Sequence, residues 1–205
     1  MQLLEMALTK GRHLSRIIVG NTSLFLCDMQ EKFRTAIKYF PEIVSNSNRL
    51  LQAFMVMKMP VICTEQYPKG LGRTVPELGL QNFAIKPFEK TQFSMCIQDI
   101  NDHLKKEHPK VNTVVLCGIE THACIYLTTL DLLEKGFSVH VVADACSSRT
   151  MTDRMYALKD MKVAGAHLTT TERVILGLAA DSKHPNFKEL QKIVWNPAPD
   201  TGLIK

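Results

Sequence analysis

Along the chain, short runs of apolar, often β-branched residues alternate with stretches whose apolar positions recur at helical spacing. The first run, Ser23 to Asp28, reads as a strand; a helix from Ile43 to Met57 and a second strand at Pro60 to Thr64 follow. A long loop carrying Pro68, Gly70, Gly72 and Pro76 comes next, and Phe83 to Lys86 is the weak candidate for a third strand. Phe93 to Glu107 has helical spacing, Val111 to Gly118 forms the fourth strand, His122 to Lys135 its helix, and Ser138 to Ala143 the fifth strand. A helix at about Thr152 to Val163, a short strand at Ala166 to Thr169 and two helices, Glu172 to Ala180 and Phe187 to Val194, complete the pattern. Strands that are apolar throughout and are each followed by a helix signal a parallel sheet buried on both faces, so the fold class is α/β.

The pattern is chemically richest where the run Val114, Val115, Leu116 breaks at Gly118 and the next helix carries Cys124 in its first turn. A first helical turn presents unpaired N–H groups and the positive end of the helix dipole, which favour a thiolate and can hold an oxyanion. Gly118 supplies the tight turn and Thr121 a capping oxygen. Cys27, Cys63 and Cys117 lie within or at the ends of apolar runs and read as packed core, while the pattern decides nothing for Cys96 and Cys146.

In such sheets the ligand sits beyond the carboxyl ends of the strands, at the point where the strand order reverses. Asp28 closes the first strand, Lys90 follows the third and Cys124 follows the fourth. In the order 3-2-1-4-5-6 the first and fourth strands are neighbours, which sets Asp28 beside Cys124, with Lys90 reaching in along the loop. Separately, Asp28 reads as a helix cap and Lys90 as a surface charge; jointly, a carboxylate can take the thiol proton and an ammonium can hold the carboxylate and offset developing negative charge.

Composition narrows the setting. With 205 residues at 45% hydrophobic, the chain suits one domain with a sizeable core. Six cysteines without framework spacing, no CxxC pair and no expected signal peptide point to a reducing, cytoplasmic setting. Residues 1–20, with Lys10, Arg12, Arg16 and the single acid Glu5, read as a tail or short helix ahead of a domain spanning 21–205; a mitochondrial targeting segment is the alternative reading. The net charge of +5 is mild and its basic residues are scattered, so neither a nucleic-acid nor a membrane partner is expected. The expected partners are a small-molecule substrate and further copies of the chain, in a dimer or tetramer.

Three segments, Asp-Met-Gln-Glu-Lys-Phe (28 to 33), Lys-Thr-Gln-Phe-Ser (90 to 94) and Gly-Ile-Glu-Thr-His-Ala-Cys (118 to 124), resemble the signatures of the isochorismatase-like cysteine hydrolases. The similarity runs from about Thr22 through Asp200, includes Asp144-Ala-Cys-Ser-Ser-Arg149, and leans toward the eukaryotic isochorismatase domain-containing proteins. The resemblance implies a three-layer α/β/α fold on a six-stranded parallel sheet and the triad Asp28, Lys90, Cys124. It also implies a non-proline cis peptide between Ile119 and Glu120, and an oxyanion hole made by the N–H groups of Ala123 and Cys124.

Nicotinamidases of this superfamily carry a metal-binding Asp-x-His pattern after the second strand, whereas this chain reads Thr64-Glu65-Gln66-Tyr67-Pro68. The seven histidines show no HxH or HExxH spacing, so no metal and no cofactor are expected. Vinyl-ether-cleaving isochorismatases do not use a cysteine nucleophile, and Cys124 tilts the chemistry toward a carbon–nitrogen bond. The sequence therefore predicts a metal-independent amide-type hydrolase working through a thioester, with Phe33, Gln66, Phe93 and Glu120 as candidate pocket lining. The rival readings are a non-catalytic partner-binding protein on the same fold and hydrolysis of isochorismate itself.

Overall fold

The structure, a computed structural model, describes residues 16–204. Of the tail expected at 1–20, residues 1–15 lie outside the described residues, and Val19–Asn21 forms a single 3-10 turn. The sheet comprises β1 (Thr22–Cys27), β2 (Val61–Gln66), β3 (Phe88–Lys90), β4 (Thr113–Ile119), β5 (Ser138–Ser147) and β6 (His167–Thr169). All pairings are parallel and the order is 3-2-1-4-5-6, as the sequence predicts.

β1 and β4 occupy the centre, and every residue of both is buried. That burial is why they read as unbroken apolar runs rather than as alternating patterns. The helices are α1 (Phe40–Val56), α2 (Pro68–Leu71), α3 (Gln98–Glu107), α4 (Tyr126–Glu134), α5 (Met151–Ala164), α6 (Thr171–Ala179) and α7 (Phe187–Val194). α1, α6 and α7 pack together on one side, with α1 lying against β1, β4 and β5; α4 and α5 pack together against β5 on the other. In α1, Ile43, Ser47, Leu50, Leu51 and Phe54 are buried at three- and four-residue intervals, one face of a helix pressed on the sheet. Among the described residues no helix is long and apolar enough to cross a membrane.

Two elements depart from the sequence reading. The third strand lies at Phe88–Lys90 instead of Phe83 to Lys86, where Leu80–Phe83 is a 3-10 turn closed by Ala84 at φ +55°. A three-residue strand starting after Pro87 is too short for any periodicity to register. The helix expected from Phe93 begins at Gln98, because the backbone before it is bonded elsewhere: the carbonyls of Gln92 and Phe93 face Lys90, and Met95 N–H donates to Thr128 Oγ1.

All six strands run the same way, so Asp28, Gln66, Lys90 and Ile119 emerge at one edge of the sheet. The chain moves outward from β1 to β2 and β3, then crosses back to β4, so the reversal falls between β1 and β4.

Candidate active site

Asp28 is the first residue past β1 and adopts φ +51°, a left-handed conformation that aspartate tolerates better than most residues. The turn sends its side chain inward, where it is fully buried. Oδ1 accepts from Thr64 Oγ1 at 2.8 Å; Oδ2 accepts from Lys90 Nζ at 2.6 Å and from the Cys27 thiol at 3.5 Å. The carboxylate serves these donors rather than a helix end.

Lys90 is the last residue of β3 itself, so it needs no loop to reach the site. Its ammonium donates to Asp28, to Gln66 Oε1 at 2.8 Å and to the Phe93 carbonyl at 2.8 Å, with the Gln92 carbonyl at 3.2 Å and Cys124 Sγ at 3.8 Å. An ammonium has three protons, and the three shortest contacts use them. Toward Cys124, Lys90 therefore acts through its charge. Burial alone would push its pKa down, but the attraction of Cys27, Asp28 and Cys124 outweighs it and the pKa is raised. Because burial, together with its contact to Cys124, pushes the Cys27 thiol far up and keeps it protonated, the Asp28 carboxylate is the decisive negative charge.

Cys124 sits in a π-helical turn, Thr121–Ile125, that leads into α4. Its Sγ, the Cys27 Sγ and an Asp28 carboxylate oxygen all lie within 4.8 Å of one another. The Ile119–Glu120 bond is cis. Two sequence expectations change here. Thr121 is not the cap, since its buried hydroxyl has no hydrogen-bond partner. The Ala123 N–H donates to the Glu120 carbonyl at 3.1 Å, so of the two N–H groups expected to hold an oxyanion, Ala123's already has an acceptor.

Cys124 opens onto a cleft of about 590 Å³, lined also by all four expected residues, Phe33, Gln66, Phe93 and Glu120. Phe93 is 56% exposed, with its ring on the cleft wall. Gln66 has a different part from the one expected: its Oε1 accepts from Lys90 and its Nε2 donates to the Thr91 carbonyl at 2.6 Å. Both ends of the amide are engaged, so Gln66 fixes Lys90 from the cleft wall. Glu120 Oε1 lies 3.1 Å from Arg149 Nε, an ion pair rather than an aligned hydrogen bond.

Among the described residues, Cys27, Asp28 and Cys124 form the cluster close enough to share a metal ion. The donors do not fit a cation. The Lys90 ammonium already supplies positive charge against the same carboxylate oxygen, and a cation beside it would be repelled.

Sequence reasoning missed Thr64, Cys27, Lys32, Tyr67 and Arg149 as neighbours of the site. Cys27 and Thr64 were hidden because they are strand residues, indistinguishable by pattern from core. Arg149 ends the Asp144 to Arg149 segment that carries part of the resemblance, which was the available signal.

The model of the Isochorismatase domain matches residues 22–173. The Isochorismatase domain-containing protein 2 of Xenopus laevis is 55% identical over 193 residues, covering 94% of this chain and 93% of that protein. The human protein of the same name is 52% identical over 191 residues, covering 93% and 91%. A Caenorhabditis elegans structure described as MAR1 ribonuclease superposes with a TM-score of 0.87 at 54% identity, covering 93% of this chain and 98% of that one. With most of its length matched by the domain and by relatives at this identity, the chain belongs to the isochorismatase family.

Proposed function

We propose that the protein is a metal-independent cysteine hydrolase that cleaves the carbon–nitrogen bond of a small amide-like substrate. The supporting observation is Cys124 Sγ at 3.8 Å from the ammonium of a fully buried Lys90–Asp28 pair, on the wall of a solvent-open cleft. Asp28 takes the thiol proton and the Cys124 sulfur attacks the substrate carbonyl carbon. The oxyanion forms against the Cys124 N–H. Collapse breaks the C–N bond, and the amine departs with the proton returned by Asp28, leaving a thioester on Cys124. Water, deprotonated by Asp28, attacks that thioester; the acid is released and the sulfur recovers its proton. Lys90 stays an ammonium throughout, holding Asp28 in place and lowering the cost of negative charge at sulfur.

The test is a panel of small amides, scored by ammonia or amine release and by intact mass after a rapid quench. The reading requires an acyl adduct on Cys124 and no turnover in Cys124→Ala. Turnover retained by that variant on the same substrate would remove the mechanism. We extend the proposal to a homo-oligomer, supported by the exposed apolar side chains of Leu127, Met155 and Tyr156 on α4 and α5; light scattering at micromolar concentration tests it.

A second reading, phosphodiester cleavage, is favoured by the description of the 54% identical relative as a ribonuclease. The cleft carries Lys32 and Arg149 beside the exposed rings of Tyr67 and Phe93, groups suited to phosphate and to base stacking. In that chemistry Asp28 would deprotonate a ribose hydroxyl and no bond to sulfur would form. RNA cleavage that survives in Cys124→Ala but not in Asp28→Asn would select this reading over the first.

A further inference from the structure

A second cavity, of about 800 Å³, lies toward the amino-terminal ends of β5 and β6, away from the edge that carries Asp28, Lys90 and Cys124. Arg16, Lys162, Arg173, His140 and His167 line it, and among the described residues no aspartate or glutamate does. Arg16, Lys162 and Arg173 form no ion pair within 4 Å among the described residues. Among the described residues, three fixed cations thus face one concavity with no carboxylate on its wall, in a chain whose basic residues looked scattered along the sequence.

The cations differ in how well they suit the helices that carry them. Lys162, in the last turn of α5, suits the negative end of its helix dipole. Arg173 has no such excuse, because it lies in the first turn of α6, where that dipole repels a cation. Arg173 and Gly177, four residues apart on one face of α6, turn to the cavity, as does Ala180 just past the helix end. His140, only 4% exposed, pairs in register with His167 across β5 and β6, and the two rings stack with centroids 5.1 Å apart.

We propose that this cavity binds a small polyanion bearing two or more linked phosphates, with Arg16, Lys162 and Arg173 as its charge partners and the stacked His140–His167 pair as its floor. The apolar side chains of Ile17, Ile18, Leu168 and Leu178 on the same wall leave room for an organic group attached to the phosphates. A free polyphosphate and a nucleoside polyphosphate share this chemistry.

Proton linkage follows. Burial first, then the charges of His167 and Arg173, hold the His140 pKa down at about 4. Among the described residues, His167 on β6 and Arg173 on α6 act on His140 by charge, and Lys162 on α5 and Arg16 ahead of β1 line the same cavity. A polyanion reverses that repulsion and favours the imidazolium, so binding takes up a proton and tightens as pH falls from 8 toward 6.

The test is thermal unfolding of the full chain with tripolyphosphate or with a nucleoside triphosphate, against sodium chloride at matched ionic strength. The expected result is a saturable rise in Tm of roughly 5 °C or more at saturating ligand, larger at pH 6 than at pH 8. It should vanish in the Lys162→Ala, Arg173→Ala double variant, whose altered residues are exposed and leave the core intact. His140→Phe, which keeps a ring on His167 without a titrating proton, should bind with the pH dependence lost. A rise with both ligands assigns the phosphates as the recognised group, and a rise with the nucleotide alone adds the organic part. No saturable rise beyond chloride, an equal rise in the double variant, or binding of an RNA oligonucleotide without either small ligand would overturn the proposal.

Discussion

Cys27 and Gly118 stand opposite each other where β1 and β4 pair, and the two strands approach so closely there that a Cβ on residue 118 would lie 2.2 Å from the Cys27 carbonyl oxygen. Gly118 also adopts φ +124°, which a side chain would resist even in open space. This contact sets the spacing between the strand that delivers Asp28 and the strand that delivers Cys124. Gly118→Ala should therefore destabilise the protein by about 3 kcal/mol or more, since backbone cannot yield as a flexible side chain would. In a domain of this size that lowers Tm by roughly 6–12 °C. A variant melting within 2 °C of wild type would show that the strands can part without cost.

Lys90 and Asp28 are a buried pair, so removing one charge strands the other. Lys90→Ala should lose about 3–5 kcal/mol of stability, and Lys90→Ala with Asp28→Asn should lose less than the sum of the two single changes. Turnover should behave differently. Each single variant and the double variant should fall roughly a hundredfold or more on any substrate that wild type hydrolyses through Cys124. Lys86→Ala, at an exposed position four residues earlier, should match wild type in both measurements. Strict additivity of the two stability losses would deny the coupling that the 2.6 Å contact implies.

How legible the sequence was depended on whether a feature lived in one element or in a meeting of several. β1 and β4 could be read directly, because burial on both faces leaves no room for polar residues. The doubly wound order, once assumed, set Asp28 beside Cys124, and the observed sheet has that order. β3 could not be read, since three residues with an exposed Glu89 in the middle carry no period. The non-helical backbone at Phe93 was invisible for another reason: its carbonyl serves Lys90, a tertiary demand that overrides helical spacing. Gln66 looked like a substrate contact and proved to hold Lys90, because a motif gives position without giving hydrogen-bond partners.

Cys124 should be the first of the six cysteines to react with iodoacetamide. Burial raises the pKa of Cys27, Cys63, Cys96, Cys117 and Cys146, the last to about 12, so these five stay protonated and shielded at neutral pH. Cys124 lines the cleft. Peptide mapping at pH 7 after partial labelling should place at least ten times more label on Cys124 than on any other cysteine of the folded protein, a contrast that disappears in denaturant. Equal labelling of Cys96, which at 9% is slightly more exposed than Cys124 at 6%, would mean that the cleft gives Cys124 no special access.

The loop that walls the cleft is held from beneath by Glu65. Its carboxylate accepts from Thr74 N–H at 2.7 Å and Thr74 Oγ1 at 2.8 Å, and pairs with Arg73 at 2.9 Å. Burial alone would raise the Glu65 pKa, but these donors outweigh it and the pKa is lowered. A carboxyl with a depressed folded pKa adds stability that is complete above the unfolded value of about 4.3 and is lost as pH falls through the folded one. Glu65→Gln keeps an acceptor for Thr74 and discards the charge, so it should cost about 1–2 kcal/mol at pH 7. Below pH 4 the difference between wild type and variant should shrink, because wild type then loses what the variant never had. Residues 67–71, which include the cleft-lining Tyr67, Gly70 and Leu71, lie between Glu65 and its partners, so KM should rise more than kcat falls. Tm curves for the two proteins that stay parallel from pH 7 to 3.5 would show that Glu65 does not anchor this loop through its charge.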